Sequence, residues 1–191
     1  MSAIPLKQYT KADYMEMEEV SLEKNQYYQG EIFAMAGASI HHNEIVMNTS
    51  FEISSYLKGK KCRIYPSDLR IQINANSLIT YPDLSIFCDD ILTDDTYKEN
   101  ALNPTVIIEV LSPSTQNYDR SEKFKLYRAI ESLQEYVLIS STEYMVELYT
   151  KQPDGKWLYQ TYNSKVDNVT ISAINFTLPL TAFYNNVALT G

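Results

Sequence analysis

With 191 residues, 45% of them hydrophobic and 21% charged, the chain can bury one sizeable core but is too short for two ordinary domains, so a single domain over residues 1–191 is expected. No apolar run approaches the roughly 20 residues of a membrane span, and Met1 to Thr10 lacks the basic start and apolar run of a signal peptide, so a cytoplasmic location is expected. A formal net charge of -8 argues against a protein that coats nucleic acid non-specifically, but leaves room for a metalloenzyme acting on it.

Thr10-Lys11-Ala12-Asp13 has the form of a capped helix start, with Tyr14, Met17 and Val20 as a modest apolar face. Tyr27 to Met35 reads as a hairpin turning at Gln29-Gly30, which puts Glu31 at the start of the return strand. From Ser39 to about Lys58 the period becomes helical: Ile45, Thr49, Ile53 and Tyr56 or Leu57 share a face, His42 falls in the first turn and Gly59 is a stop. Leu69, Ile71 and Ile73 alternate with polar neighbours, including Asp68 and Arg70, as in a half-buried strand. Tyr81 to Cys88 reads as a buried strand, and Asp89 to Asn103 as a polar loop free to move. Val106 to Leu111 is apolar apart from Glu109, the pattern of a strand covered on both faces. Asp119 and Glu122 are spaced as a capping box for a helix to about Ile130, on which Lys123 and Tyr127 share a face at i, i+4. Glu135 to Ser140 is another buried strand. Met145 to Tyr149 and Trp157 to Tyr162 alternate like antiparallel sheet around a Pro153-Asp154-Gly155 turn, and Leu178 to Thr181 opens a short terminal helix. Cys62 and Cys88, the only two cysteines, lie in apolar strand-like runs and are expected to be buried free thiols in a reducing compartment.

Two carboxylates stand out because each sits in an otherwise apolar strand. An ionised carboxylate costs several kcal/mol to desolvate unless it is paired or binds a metal. Asp83 and Glu109, with Lys123 on the following helix, form a set suited to metal-assisted attack on a phosphodiester. Mg2+ or Mn2+ would take oxygens from Asp83, Glu109 and the Val110 carbonyl, while Lys123 orients the attacking water or stabilises the charge that builds on phosphate. The competing readings are an Asp83 bonded only to backbone and a structural Glu109 to Lys123 ion pair. His42 either contacts phosphate or is a satisfied structural histidine, and His41 reads as surface. Asp68 and Arg70 either support the site or stand apart from it, and Tyr127 packs over Lys123 or fills the core. The 16 tyrosines read mainly as half-buried packing residues rather than base-stacking platforms. Lys58, Lys60, Lys61, Arg63 and Arg70 make a local basic stretch that is either a solvated face or a phosphate contact.

Gly30-Glu31, Ala36-Gly37-Ala38-Ser39 with His42, Tyr65 to Arg70, Tyr81-Pro82-Asp83, Glu109 to Thr115, and Asp119 with Lys123 and Tyr127 together resemble the Uma2 family of endonucleases. That family lies within the PD-(D/E)xK restriction-endonuclease-like superfamily, and the resemblance runs from about Thr10 to Tyr162. It implies an α/β fold with a restriction-endonuclease-like core, a mixed central sheet flanked by helices, and additional antiparallel strands. It also implies a metal site where two central strands diverge, with Asp83 as the Pro-Asp aspartate, Glu109 as the acidic residue of the next strand and Glu31 as the early glutamate. The lysine usually found two residues after that acid is replaced by Leu111, and Lys123 matches a lysine moved to the adjacent helix. The activity implied is divalent-metal-dependent cleavage of DNA, with a homodimer as the expected assembly. A non-catalytic DNA-binding or interaction module of the same fold, or an enzyme on RNA or a nucleotide, are the alternatives.

Overall fold

Strand and helix boundaries follow local chemistry closely. The structure, a computed structural model, describes residues 7–35 and 37–189; Met1–Leu6 of the N-terminal reading and Ala36 of the Ala36–Ser39 motif lie outside the described residues. Helix α1 (Lys11–Val20) is opened by a reciprocal capping box, Asp13 N–H to Thr10 Oγ1 at 3.1 Å and Thr10 N–H to Asp13 Oδ2 at 2.7 Å. Strands β1 (Asn25–Tyr28) and β2 (Glu31–Ala34) form the expected hairpin. Its two turn residues, Gln29 and Gly30, have φ of 47° and 92°, the pair of positive values that matches the twist of a two-residue hairpin. At Gly30 it is the φ of 92° that favours glycine, because L side chains rarely adopt it. Helix α2 (Ile40–Leu57) is capped by Ser39 and buries Ile45, Thr49, Ile53 and Leu57 along one stripe.

Strands β3 (Arg63–Pro66), β4 (Arg70–Ile73), β5 (Leu78–Thr80), β6 (Leu84–Phe87), β7 (Asn100–Ala101) and β8 (Val106–Leu111) follow. Helix α3 is continuous through Gln116–Tyr118, a π turn at Asp119–Lys123 and Phe124–Tyr127. Strands β9 (Glu135–Ser140), β10 (Val146–Lys151), β11 (Trp157–Tyr162), β12 (Asn168–Ile171) and β13 (Phe176–Pro179) and a short helix at Leu180–Phe183 complete the chain. One sheet runs in the order β11-β10-β9-β8-β6-β3, a second in the order β2-β1-β5-β4-β7, and β12 pairs with β13. The fold is mixed α/β: β8 and β9 are parallel neighbours joined through α3, whereas β6 and β8 are antiparallel.

The alternation of β8 sorts the molecule into layers. Val106, Ile108 and Val110 join a core with Ile45, Ile53 and Leu57 of α2 and with Val169, Ile171, Phe176 and Leu178 of the β12–β13 hairpin. Ile107 and Leu111 point the other way, into a core shared with Leu126 and Tyr127 of α3 and with Ile71, Ile73 and Leu78 of the second sheet. The second sheet is covered in turn by α1, whose buried Tyr14 and Met15 pack on Tyr27 and Ile79. Among the described residues no helix is long and apolar enough to cross a membrane.

Four expectations need correction. The Asp89–Asn103 segment is tied down: it carries β7, parallel to β4, and Asn100 is fully buried with its amide 2.8 Å from Gln72 Oε1. Asp68 is in the turn between β3 and β4, not on a strand, because β4 starts only at Arg70, and that strand is not half-buried, since Ile71, Gln72 and Ile73 are all buried. Asp119 does not cap a helix; it lies inside α3, whose N-cap is Thr115. Cys62 and Cys88 are half-buried and joined in a disulfide, because the antiparallel register of β3 and β6 (Arg63 opposite Phe87) sets them face to face with Cα atoms 3.9 Å apart. Closing a loop across 26 positions restricts the unfolded chain, so Cys62→Ser is expected to cost the oxidised protein about 3 kcal/mol. Urea unfolding checks this: oxidised wild type should have the higher midpoint, and reduced wild type should match the variant.

Candidate active site

Glu109 shares the face of β8 that Ile107 and Leu111 occupy, so its side chain enters the layer between that strand and α3. There it meets two side chains that lie four residues apart on the helix. Lys123 Nζ stands 2.7 Å from Glu109 Oε1, and the Tyr127 hydroxyl donates to the same oxygen at 2.8 Å. Asp119 Oδ1 is 3.5 Å from Lys123 Nζ on its other side. The Lys123 and Glu109 side chains are only 7% and 6% exposed, so this is a buried pair and not a surface contact. Asp119 and Lys123 are the first and last residues of the π turn and, four positions apart, share one face of the helix.

Asp83 arrives from the bend just before β6, since of the expected Tyr81–Cys88 strand only Leu84–Phe87 is strand. The β6–β8 ladder stops at Leu84 opposite Ile108, and the chains then part. The Val110 N–H, which the ladder no longer serves, donates to Asp83 Oδ2 at 2.7 Å. His42 Nε2, from the first turn of α2, lies 3.2 Å from that same oxygen, and the Asp83 N–H faces Glu109 Oε2 at 3.4 Å. His42 Nδ1 is buried and has no hydrogen-bond partner among the described residues.

Burial pushes the Glu109 carboxyl up to about 7, against the opposing pull of the Lys123 charge. Burial alone would lower the Lys123 ammonium, but Glu109 and Asp119 more than offset this and hold it above its ordinary range. His42 is also raised: burial, the largest single effect, works against its charge, but the bond to Asp83 and the negative charges of Asp83, Glu109 and Asp119 together outweigh it. The cluster therefore pairs one firmly protonated lysine with one glutamate whose carboxyl is held back from ionising.

These groups line one side of a cavity of about 520 Å3. The opposite wall comes from the second sheet, where Gln26 and Tyr28 point away from α1 while Tyr27 points toward it. Phe33, directly opposite Gln26 in the hairpin register, and Tyr118 of α3 complete that wall. Gln26 donates to the Tyr118 hydroxyl at 2.8 Å and accepts from Thr80 Oγ1 at 3.0 Å.

The structure thus brings together His42, Asp83, Glu109, Val110, Lys123 and Tyr127. It does not bring in Glu31, which is exposed at the turn end of β2 and lines no part of the cavity, about 7 Å further along the strand than Phe33. Asp68 pairs with Lys24 at 2.7 Å on the surface, and Arg70 reaches toward Met15. Sequence reasoning missed Gln26, Tyr118 and the inward role of Asp119. Of these only Asp119 carries a signal, its i, i+4 spacing to Lys123.

The model of a protein family described as "Putative restriction endonuclease", Uma2, matches residues 12–181. The chain belongs to the Uma2 family. Over 184 residues, covering 96% of this chain and 95% of the relative, it is 36% identical to the "Uncharacterized protein slr1290" of Synechocystis sp. (strain ATCC 27184 / PCC 6803 / Kazusa). It is 38% identical over 149 residues to "Uncharacterized protein sll1609" of the same organism, covering 78% of this chain and 84% of that one. A crystal structure of a "putative nuclease belonging to DUF820" from Anabaena variabilis ATCC 29413 superposes with a TM-score of 0.74 at 17% identity, covering 91% of this chain and 96% of that one. At that identity the likeness carries the fold, which this Uma2 chain shares.

Removing one partner of the buried pair leaves Glu109 facing Asp83 and Asp119 without a cation. Lys123→Ala is expected to destabilise the fold by about 3–5 kcal/mol at pH 8. In that variant the folded carboxyl titrates still higher than in wild type. A group whose folded pKa is raised contributes its stability below the unfolded value and loses it as pH rises through the folded one. The deficit should therefore be smaller at pH 5 than at pH 8, and chemical unfolding of wild type and variant at the two pH values measures it.

Proposed function

We propose that the protein is a divalent-metal-dependent endonuclease that hydrolyses DNA phosphodiester bonds at the Asp83, Glu109 and Lys123 cluster. One observation carries the reading: two carboxylates and a buried ammonium converge in a single cavity, on residues inside the stretch that the Uma2 model matches. DNA is the substrate that the family description implies.

The donor set fits a hard cation. Both short bonds to Asp83 fall on Oδ2 and both to Glu109 fall on Oε1, so Asp83 Oδ1 and Glu109 Oε2 retain acceptor capacity. The Val110 carbonyl is the third oxygen, because a residue in an antiparallel ladder projects its N–H and C=O to the same side, and the Val110 N–H points at Asp83. Among the described residues no group of three or more His, Cys, Asp or Glu side chains is placed to hold a metal. Asp83 and Glu109 would therefore be the only side-chain ligands, a number within the one or two carboxylates through which Mg2+ or Mn2+ often binds alongside waters and a substrate phosphate oxygen.

A cation held there supplies a water of lowered pKa and neutralises charge on the scissile phosphate. Lys123 adds a fixed point charge where negative charge develops, kept protonated by Glu109 and Asp119. Tyr127 donates to the same Glu109 oxygen that meets that lysine and so fixes the carboxylate against it. His42 is a positioning residue: its bond to Oδ2 orients Asp83 from the far side of the strand end. A homodimer is the assembly in which two such sites reach both strands.

A second reading, an interaction module whose site persists as an ion-pair network, is favoured by the completeness of the Lys123 contacts, since its ammonium already has two carboxylates. Titration calorimetry with Mn2+ separates the two. The wild type is expected to bind and Asp83→Ala not to; equal or absent binding in both would favour the module. Cleavage of DNA in Mg2+ should likewise vanish in Asp83→Ala with the far-ultraviolet spectrum unchanged. Because Glu109 must lose its proton as the cation binds, apparent Mn2+ affinity should rise about tenfold per pH unit up to about pH 7 and level off above it.

A further inference from the structure

The wall opposite the carboxylates has chemistry of its own. Tyr28, Phe33 and Tyr118 face the cavity with Gln26 among them, and Phe33 and Tyr118 are 45% and 36% exposed. These rings are placed rather than adventitious. Gln26 and Phe33 are register partners on one face of the hairpin, and the Gln26 amide pins the Tyr118 hydroxyl while Thr80 pins the amide. Open, partly exposed aromatic faces beside a buried ion cluster are not what a packed core requires, and half of the cavity would serve no purpose in binding phosphate and metal alone.

The cavity is also the wrong shape and charge for a duplex. Its volume of about 520 Å3 lies within the range of about 300–1,000 Å3 typical of pockets for small ligands. A double helix, whose grooves alone are about 6 and 12 Å wide, does not enter it. Its lining holds Asp83, Glu109, Asp119 and Glu122 against only Lys123 and His42 as cationic groups, in a chain of net charge -8. Duplex binders draw most of their affinity from many phosphate contacts, and this site offers few. Stacking of a base on aromatic rings needs no such charge and tolerates any sequence.

We propose that the cavity takes a single unpaired nucleotide, its base stacked on the Phe33 and Tyr118 wall and its phosphate toward Lys123, so that the substrate is DNA with an unpaired or extruded base and not a fully paired duplex. This rests on the DNA-hydrolysis reading above, and makes the β1–β2 hairpin the specificity element of the same site.

The test measures binding apart from cleavage. Fluorescence anisotropy in Ca2+ buffer follows four labelled oligonucleotides: a single strand, a paired duplex, a duplex with one unpaired nucleotide, and the same duplex with that nucleotide abasic. Wild type should bind the unpaired nucleotide at least tenfold more tightly than the paired duplex, and lose that preference with the abasic one. Phe33→Ala and Tyr118→Ala should each weaken binding of the single strand by at least about fivefold, and Phe33→Tyr should restore it. Equal affinity for paired, unpaired and abasic duplexes, no measurable binding of any of the four, or no effect of either alanine variant, overturns the inference. Cleavage in Mg2+ run alongside keeps the two ideas separate. Asp83-dependent cutting of paired and unpaired DNA at equal kcat/KM sinks the stacking wall but leaves the nuclease, whereas base-dependent binding without any cutting supports the wall and sinks the nuclease.

Discussion

The buried contact between Glu109 and Lys123 is the constraint on which the arrangement depends. A carboxylate in the middle of a buried strand has little access to bulk water, so the helix that covers it must deliver a cation to a defined point. That requirement fixes how α3 lies over β8, and it accounts for the spacing of Asp119, Lys123 and Tyr127 four residues apart on the face of α3 that meets Glu109. Tyr136, on the next strand, supports the same helix from below through its hydroxyl, which donates to the Asp119 carbonyl at 3.2 Å. An apolar core would be at least as stable, since buried ion pairs repay their desolvation poorly. Its presence in the deepest part of the sheet is therefore better understood through what the charges do than through what they stabilise.

A second requirement is that the strands stop pairing where the acids are. While β6 and β8 remain in register, backbone groups satisfy one another and leave nothing for a ligand. Where they part, the Val110 N–H needs an acceptor, and Asp83 provides it with one oxygen while retaining the other. The same divergence opens the gap into which the hairpin of the second sheet leans, so the ion cluster and the aromatic wall become two sides of one space. The site is thus a product of sheet geometry as much as of residue identity.

Much of this was legible in the sequence, for reasons particular to each element. The helix stripe Ile45, Thr49, Ile53 and Leu57 and the turn at Gln29-Gly30 are local signals, and both appear where the pattern put them. Glu109 could be picked out because charge in an apolar strand demands a partner, which Lys123 supplies; Asp83 is not in a strand but in the bend before β6, where its carboxylate meets the Val110 N–H and His42 and only its own N–H meets Glu109. Other features were invisible because they depend on distant register. Gln26 looks like any polar strand residue until β1 is known to pair with β5, and the β12–β13 hairpin gains its role only by covering α2. Glu31 was drawn in by family resemblance, yet the hairpin twist leaves it at the outer end of the wall. The Asp119 and Glu122 spacing imitates a helix start because a capping box and an i, i+3 pair look alike in one dimension.

The bridge between Cys62 and Cys88 lies at the rim of the large sheet, where β3 has a neighbour on one side only. A lone edge strand is free to slide, and a shift of one residue would exchange its inner and outer faces. Covalent attachment removes that freedom and fixes which side chains of β3 look inward toward α2. An oxidant that closes this bond would therefore act on the register of the sheet margin, away from the chemistry at its centre.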